Sequence, residues 1–299
     1  MNNLNFVIPS TIFRMYYAFI LFIKEFTRSK PVLFDEISNY KLIKPLKPLN
    51  SFDVYSTGLY KKNNKKFVLK TWNGLLKDSA YFNLINEYKT LELLNVYLTK
   101  FNLGFKSPKA IEIIFDKNSV SIVMEYIQGI NIKKEKINNK IIYLKKIEDG
   151  LSLLNIKMKE TDTSFLPIRT PFYFRLYIVI YGFIALVFNI DKTVGIVKVM
   201  KLAFLNVNLS SKHYFTHGDL SDENIIKNSN GLWLIDFANS VITMQGFDKG
   251  VMLTGAFGDR SICLVKSQIN PLLYAFFVLQ GLFPSGKFSN NKKYSLSCI

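Results

Sequence analysis

Cysteine is scarce in this chain: Cys263 and Cys298 are the only two in 299 residues. Two cysteines so placed give neither a metal-ligand spacing nor a disulfide framework, so a reducing, cytoplasmic setting is expected. Internal repeats and low-complexity tracts are missing, which excludes a solenoid or a disordered tail as the main architecture. Negative charge is short as well. Against 39 Lys and Arg stand 22 Asp and Glu, for a formal charge of +17. A nucleic-acid binder with that charge is usually less apolar than 49% hydrophobic. High positive charge on an apolar chain suits an anionic membrane surface instead, and no nucleic-acid partner is expected.

Long hydrophobic runs are lacking too. Ile12 to Ile23, Leu176 to Ile190 and Ile269 to Phe283 are the apolar segments, and each falls short of the ~20 residues of a free membrane span. The first is interrupted by Arg14 and followed by Lys24 and Arg28. It has neither the basic start nor the small-residue cleavage site of a secretory signal. Residues 1–35 are therefore expected to form an added apolar or amphipathic helix, lying at an interface or packed on the core. Leu176 to Ile190 reads as a core helix, followed by an amphipathic helix, Ile196 to Val207, with Lys198 and Lys201 on its polar side. Together, residues 167–210 form an apolar helical insert that could dip into lipid as a hairpin. The third segment, interrupted by Pro271, reads as a buried helix. The mixed-charge run Lys133 to Lys146 is expected to be a solvated linker or helix face.

What the chain does have is concentrated between His217 and Phe237, HGDLSDENIIKNSNGLWLIDF. Asp219 and Asn224 are five apart, and Asp236 lies twelve beyond Asn224. Ile225-Ile226 and Leu232 to Ile235 read as two short buried strands joined by a turn at Asn228 to Gly231. Such a hairpin carries Asn224 just before its first strand and Asp236 at the end of its second, so the two oxygen side chains converge. Phosphoryl transfer needs this kind of set. It asks for positioning and charge neutralisation more than for covalent chemistry. Hard Mg²⁺ prefers oxygen ligands and keeps several waters, so Asn224 and Asp236 suffice as the metal ligands. A further carboxylate, Asp219, faces the acceptor hydroxyl and takes its proton. His217 braces the loop by packing or hydrogen bonding.

These residues resemble the protein-kinase-like superfamily, which includes protein kinases, aminoglycoside phosphotransferases and bacterial lipopolysaccharide core kinases. Gly218 stands where protein kinases usually carry Arg, and HGD is commoner in the small-molecule branch. Phe237-Ala238-Asn239 departs from Asp-Phe-Gly. The resemblance implies an α+β, bilobal fold with an antiparallel-sheet N-lobe over residues 36–127 and a mainly helical C-lobe over 128–299. It implies ATP and Mg²⁺ as cofactors.

The rest of such an N-lobe is sought upstream. Tyr40 to Leu46 has strand character. Asn50 to Tyr55 sits where a glycine-rich phosphate loop would lie, yet it holds no glycine; Gly58 comes later, in the next strand. Ser51, Phe52 and Val54 are the positions expected near the nucleotide. Lys66 to Lys70 reads as a strand whose end resembles Val-Ala-Ile-Lys, which implies that Lys70 holds the phosphates. Asp78 to Leu98 has apolar residues at helical spacing. On it Glu87, seventeen residues after Lys70, resembles the carboxylate that pairs with this Lys, with Glu92 as the competing choice. Phe105 to Ala110 looks like a connector. Ile111 to Phe115 and Ser119 to Met124 read as a strand pair, and Met124 to Gly129 resembles the hinge, with adenine contacting backbone near Glu125 and Ile127.

The C-terminal part reads against a protein kinase: no Ala-Pro-Glu follows Asp236, and only about sixty residues remain. Asp259-Arg260 resembles a pair found in lipopolysaccharide core heptose kinases. The expected activity is transfer of the γ-phosphate of ATP to a hydroxyl of a sugar or glycolipid, most plausibly lipopolysaccharide core, by a protein peripheral on the inner membrane. An atypical Ser/Thr protein kinase and a non-catalytic nucleotide-binding scaffold are the alternatives. Aminoglycosides are disfavoured as acceptors because the pockets for those cationic drugs are usually acidic and this chain is basic.

Overall fold

The computed structural model of the chain describes residues 31–49, 53–74, 77–188, 193–202, 204, 213–256 and 269–281. These fall into two units. The first comprises Met1–Tyr88 with Ala110–Tyr126, and the second Lys89–Lys109 with Ile127–Ile299. The N-terminal helix expected over 1–35, the two cysteines and Asp259-Arg260 lie wholly or largely outside the described residues.

Unit 1 is built on one antiparallel sheet. Its strands are β1 (Glu36–Ile37), β2 (Tyr40–Pro45), β3 (Ser56–Lys62), β4 (Lys65–Asn73), β5 (Ala110–Phe115) and β6 (Ser119–Glu125). They lie side by side in the order β1-β2-β3-β4-β6-β5. Two hairpins use two-residue turns with left-handed backbone, at Ser38-Asn39 and Asn63-Asn64. Such turns match the twist of paired strands, and Asn tolerates positive φ better than most residues. On β4 the side chains alternate. Leu69 joins Tyr40, Tyr60 and Val123 in a core on one face, with Phe67 packed against it. Lys70 and Trp72 belong to the other face by the period of two.

Helix α1 (Ser79–Lys100) follows β4 in the chain. Asp78 caps it: one carboxylate oxygen accepts from the backbone N–H of Ala80 and Tyr81, both at 3.0 Å, and from Trp72 Nε1 at 2.9 Å. Capping by Asp satisfies amides that the first turn leaves without partners. The same carboxylate thereby ties the helix start to β4, and Tyr81 meets Trp72 edge to face at 5.0 Å. The boundary between the units falls within α1.

Unit 2 is mainly helical. It holds α2 (Ile137–Lys157), α3 (Pro171–Phe188), α4 (Thr193–Leu202), α5 (Phe247–Ala256) and α6 (Pro271–Gly281). Two small sheets accompany them. One has the order β10-β9-β7, from β7 (Ile130–Asn131), β9 (Ile225–Asn228) and β10 (Gly231–Leu234); the other pairs β11 (Val241–Thr243) with β8 (Tyr214–Thr216). The connector before β5 is more than a tether: Lys106 exchanges backbone hydrogen bonds with Leu232 and Leu234 of β10, both at 2.8 Å. Core helix α6 is buried all round from Leu272 to Leu279.

Three expectations are corrected here. Pro271 does not interrupt the last apolar segment; it opens α6, with Asn270 Oδ1 accepting from Leu272 N–H at 2.8 Å. Proline suits a first helical position because its missing N–H would have no helical partner there. The second amphipathic helix spans Thr193–Leu202, starting earlier than expected. The run Lys133 to Lys146 is not solvated throughout, because Lys140 is largely buried in an ion pair with Asp222. Among the described residues no helix is long and apolar enough to cross a membrane.

Candidate active site

The hairpin β9–β10 pairs Asn228 with Gly231 and Leu234 with Ile225, so its turn is the two residues Ser229-Asn230. Asn228 Oδ1 holds the turn, accepting from Asn230 N–H at 2.9 Å and Trp233 Nε1 at 3.1 Å. At the open end the ladder continues by one bond, Ile235 N–H to Asn224 O at 3.0 Å. Asn224 therefore lies opposite the residue before Asp236. The hairpin and its turn over Asn228 to Gly231 are as the spacing predicts, and they bring the backbone of Asn224 opposite the strand end that carries Asp236.

Asn224 is buried, and its amide nitrogen is committed to Asp219. It donates to Asp219 O at 2.9 Å and to Asp219 Oδ2 at 3.2 Å. An amide whose nitrogen is so engaged turns its carbonyl oxygen the other way. Asp236 has a left-handed backbone, φ +65°. That conformation costs a non-glycine residue free energy, and such residues recur at active sites. Asn224 and Asp236 thus present hard oxygen donors at one end of one hairpin. Among the described residues no three His, Cys, Asp or Glu side chains gather as a metal cluster. A two-ligand oxygen set fits Mg²⁺, which keeps waters and phosphate oxygens in its remaining positions, better than it fits a metal needing a full protein cage.

His217 is fully buried. Its Nδ1 accepts from Asp219 N–H at 3.3 Å, so the proton sits on Nε2 and is donated to Ile235 O at 2.9 Å. Its ring lies 4.7 Å from that of Phe237. One imidazole therefore links the loop of Asp219 to the strand end that carries Asp236.

Two features of this loop escape a reading by motif. Asp248, in the first turn of α5, accepts from His217 N–H at 2.7 Å and from Gly218 N–H at 2.9 Å, one bond per carboxylate oxygen. Burial pushes its carboxyl up to about 6, while the two N–H bonds pull the other way. Nothing near Asp248 in the sequence marks it except its place at a helix start. The second feature is Gly218. Its φ is +83°, and a Cβ there would sit 1.8 Å from Asn239 O. Glycine at this position is a steric requirement of the loop as it packs on the turn after Asp236. Asp222 adds a further clamp through Lys140 Nζ at 2.7 Å.

A cavity of about 1280 Å³ in unit 2 is bordered by Leu220, Asp248, Thr216 and His213. Asp219, Asn224 and Asp236 are not among the described residues that line it.

In unit 1, Lys70 Nζ donates to Glu87 Oε2 at 2.8 Å, and both side chains are almost fully buried. The competing Glu92 is exposed. The ring of Tyr55 also covers Lys70 Nζ at 4.6 Å, while its hydroxyl donates to Ala80 O at 2.8 Å. Tyr55 was not among the expected site residues. Val54, beside it, is half-buried; Ser51 and Phe52 lie outside the described residues. Glu125 ends β6, and the chain passes from unit 1 to unit 2 between Tyr126 and Ile127.

No family model matches the chain, and no curated protein matches it. Solved structures do share its fold. A thermostable mutant of aminoglycoside phosphotransferase APH(4)-Ia, in ternary complex with ADP and hygromycin B, superposes with TM-score 0.53 at 10% identity, covering 88% of each chain. APH(4)-Ia itself gives 0.51 at 11% identity, over 90% of this chain and 89% of that one. Spectinomycin phosphotransferase APH(9)-Ia, with ADP and spectinomycin, gives 0.50 at 13% identity, over 85% and 77%. The chain has the bilobal α+β protein-kinase-like fold.

Proposed function

We infer that the protein is an ATP-dependent phosphotransferase that moves the γ-phosphate to an alcohol group on a small molecule or glycolipid. The observation that carries this reading is the bonded set Asp219, Asn224 and Ile235-Asp236 on one loop and hairpin. Asp219 is assigned to the acceptor: it orients the hydroxyl and accepts its proton as the oxygen attacks phosphorus. Asn224 and Asp236 would hold Mg²⁺, which supplies charge neutralisation on the phosphates when bound. Lys70 is assigned to the non-transferred phosphates as a point charge, fixed in place by Glu87. His217 is a positioning residue, and adenine is assigned to backbone at Glu125 and Ile127. The assignment of the two constellations to one reaction rests on their order along the chain and on the shared fold.

The structural neighbours crystallised with ADP beside hygromycin B or spectinomycin favour a small hydroxyl-bearing acceptor over a protein one. The charge of +17 disfavours a cationic drug and favours an anionic acceptor, with a phosphorylated glycolipid such as lipopolysaccharide core the best fit. Peripheral association with the inner membrane surface belongs to the same reading.

Incubation with γ-labelled Mg-ATP and bacterial membranes, followed by separation of glycolipid, small-molecule and protein fractions, tests it. Label in glycolipid is expected. Label confined to protein would replace this reading with that of an atypical protein kinase. Nucleotide binding without transfer to any fraction would favour the scaffold alternative.

A further inference from the structure

The exposed side chains of helix α3 are all apolar, with Tyr173 and Arg175 half-buried beside them. Phe172, Leu176, Val179, Ile180 and Phe183 follow one another at helical spacing and are all exposed, Phe172 by 74% and Phe183 by 67%. The opposite face is committed to protein, with Phe174, Ile178 and Ala185 buried. An apolar stripe of five large side chains is more than scattered surface hydrophobics, and such patches mark interaction sites.

The neighbouring helix supplies the charge. Gly182 of α3 lets Met200 of α4 approach so closely that a Cβ would meet its sulfur at 2.4 Å. Both helices also pack on α6, which is buried all round. Their exposed faces are those not used against α6. On α4 that face carries Val194, Val197, Lys198 and Lys201. The helix packed beside α3 thus adds two exposed apolar and two exposed basic side chains, in a chain with a charge of +17.

We propose that the outward face of the α3–α4 hairpin is a docking surface for an anionic lipid bilayer. The helices lie in the plane of the headgroups with the α3 stripe entering the acyl boundary. Spanning is excluded for α3 because half of its circumference is already used against protein. An interfacial helix needs this composition: an apolar face to insert and cations to meet anionic lipid. A second copy of the chain would cover the stripe equally well but would offer Lys198 and Lys201 no acidic partner, since a two-fold contact sets the same patch on itself and the described residues of that patch include no acid. The proposal rests on the phosphotransferase reading only in explaining why the protein would dock, because a glycolipid acceptor is membrane-borne.

The test is co-sedimentation of the full chain with vesicles of phosphatidylcholine alone or of phosphatidylcholine containing phosphatidylglycerol. Mg-ATP affinity is measured on the same preparations. Wild-type protein is expected to partition at least about tenfold more strongly onto the anionic vesicles, less so at high salt. Ile180→Glu with Phe183→Glu should lose most of that binding, and Lys198→Glu with Lys201→Glu should abolish the preference for anionic lipid, both with nucleotide affinity unchanged. Equal partitioning of wild type and the Ile180/Phe183 variant would overturn the proposal. So would a dimer in buffer that this variant converts to monomer, which would make the face a self-interface. Intact docking with no phosphotransfer to any membrane component would instead count against the function and leave the docking surface standing.

Discussion

Lys70 and Glu87 form the pair in unit 1 whose energetics most constrain a mutation. Both are almost fully buried and 2.8 Å apart, so each charge offsets much of the cost of burying the other. Removing one partner leaves the other charge buried without its ion pair and costs about 3–5 kcal/mol, whereas replacing both with apolar groups of similar volume is close to neutral. Glu87→Ala is expected to lower the urea midpoint of unfolding sharply, and Lys70→Met with Glu87→Leu to restore it while leaving Mg-ATP binding impaired. A double variant that binds nucleotide normally would show the pair to be structural only. Gly218 is the other residue with little freedom. Positive φ and a carbonyl 1.8 Å from the position of a Cβ combine strain with a backbone clash. Gly218→Ala should cost more than about 3 kcal/mol by chemical denaturation, and a near-neutral result would mean that the loop repacks away from Asn239. The motif already shows a Gly where protein kinases carry Arg; the reason, a close backbone approach, becomes visible only with the turn after Asp236 in place.

At the scale of elements, helix α5 supports the loop through one side chain. Asp248 accepts from the backbone of His217 and Gly218, and burial raises its carboxyl to about 6. A value raised in the folded state means that the protonated form favours folding. That contribution is complete below pH ~4 and is lost as the pH rises through about 6, a change of about 2–3 kcal/mol. In Asp248→Asn this dependence is absent. The stability difference between wild type and variant, measured by denaturation from pH 4 to pH 7, is expected to shrink as the pH rises and then to level out. A difference that grows with pH would contradict the account. Most elements were legible from periodicity: β2, β4, β5 and β6 of unit 1, α1 and the β9–β10 hairpin lie within a few residues of where their patterns place them. What was not legible depends on contacts distant in sequence. Asp248 acts on residues thirty positions earlier. Lys140 lies in a run that looks solvated until Asp222 is brought against it. Tyr55 covers Lys70 only because β3 and β4 pair, and an aromatic ring at that place has no signature in the chain.

For the whole molecule, two sets of residues carry the account, one in each unit: Lys70 with Glu87, and Asp219 with Asn224 and Asp236. The second is marked by its spacing on one short hairpin, whereas Lys70 and Glu87 are marked by resemblance to a strand-and-helix pattern and are joined only by the packing of α1 on the sheet. The acceptor was not visible, because acceptor recognition lies in surfaces rather than in spaced motifs. The charge of +17 and the apolar stripe on α3 are its broadest indications. The central claim is that Asp219 is the carboxylate facing the acceptor hydroxyl, and single-turnover transfer from Mg-ATP by Asp219→Asn tests it most directly, with nucleotide affinity titrated on the same protein. The account predicts transfer slower by about 10²–10⁴-fold with Mg-ATP affinity little changed. Transfer at the wild-type rate would contradict it.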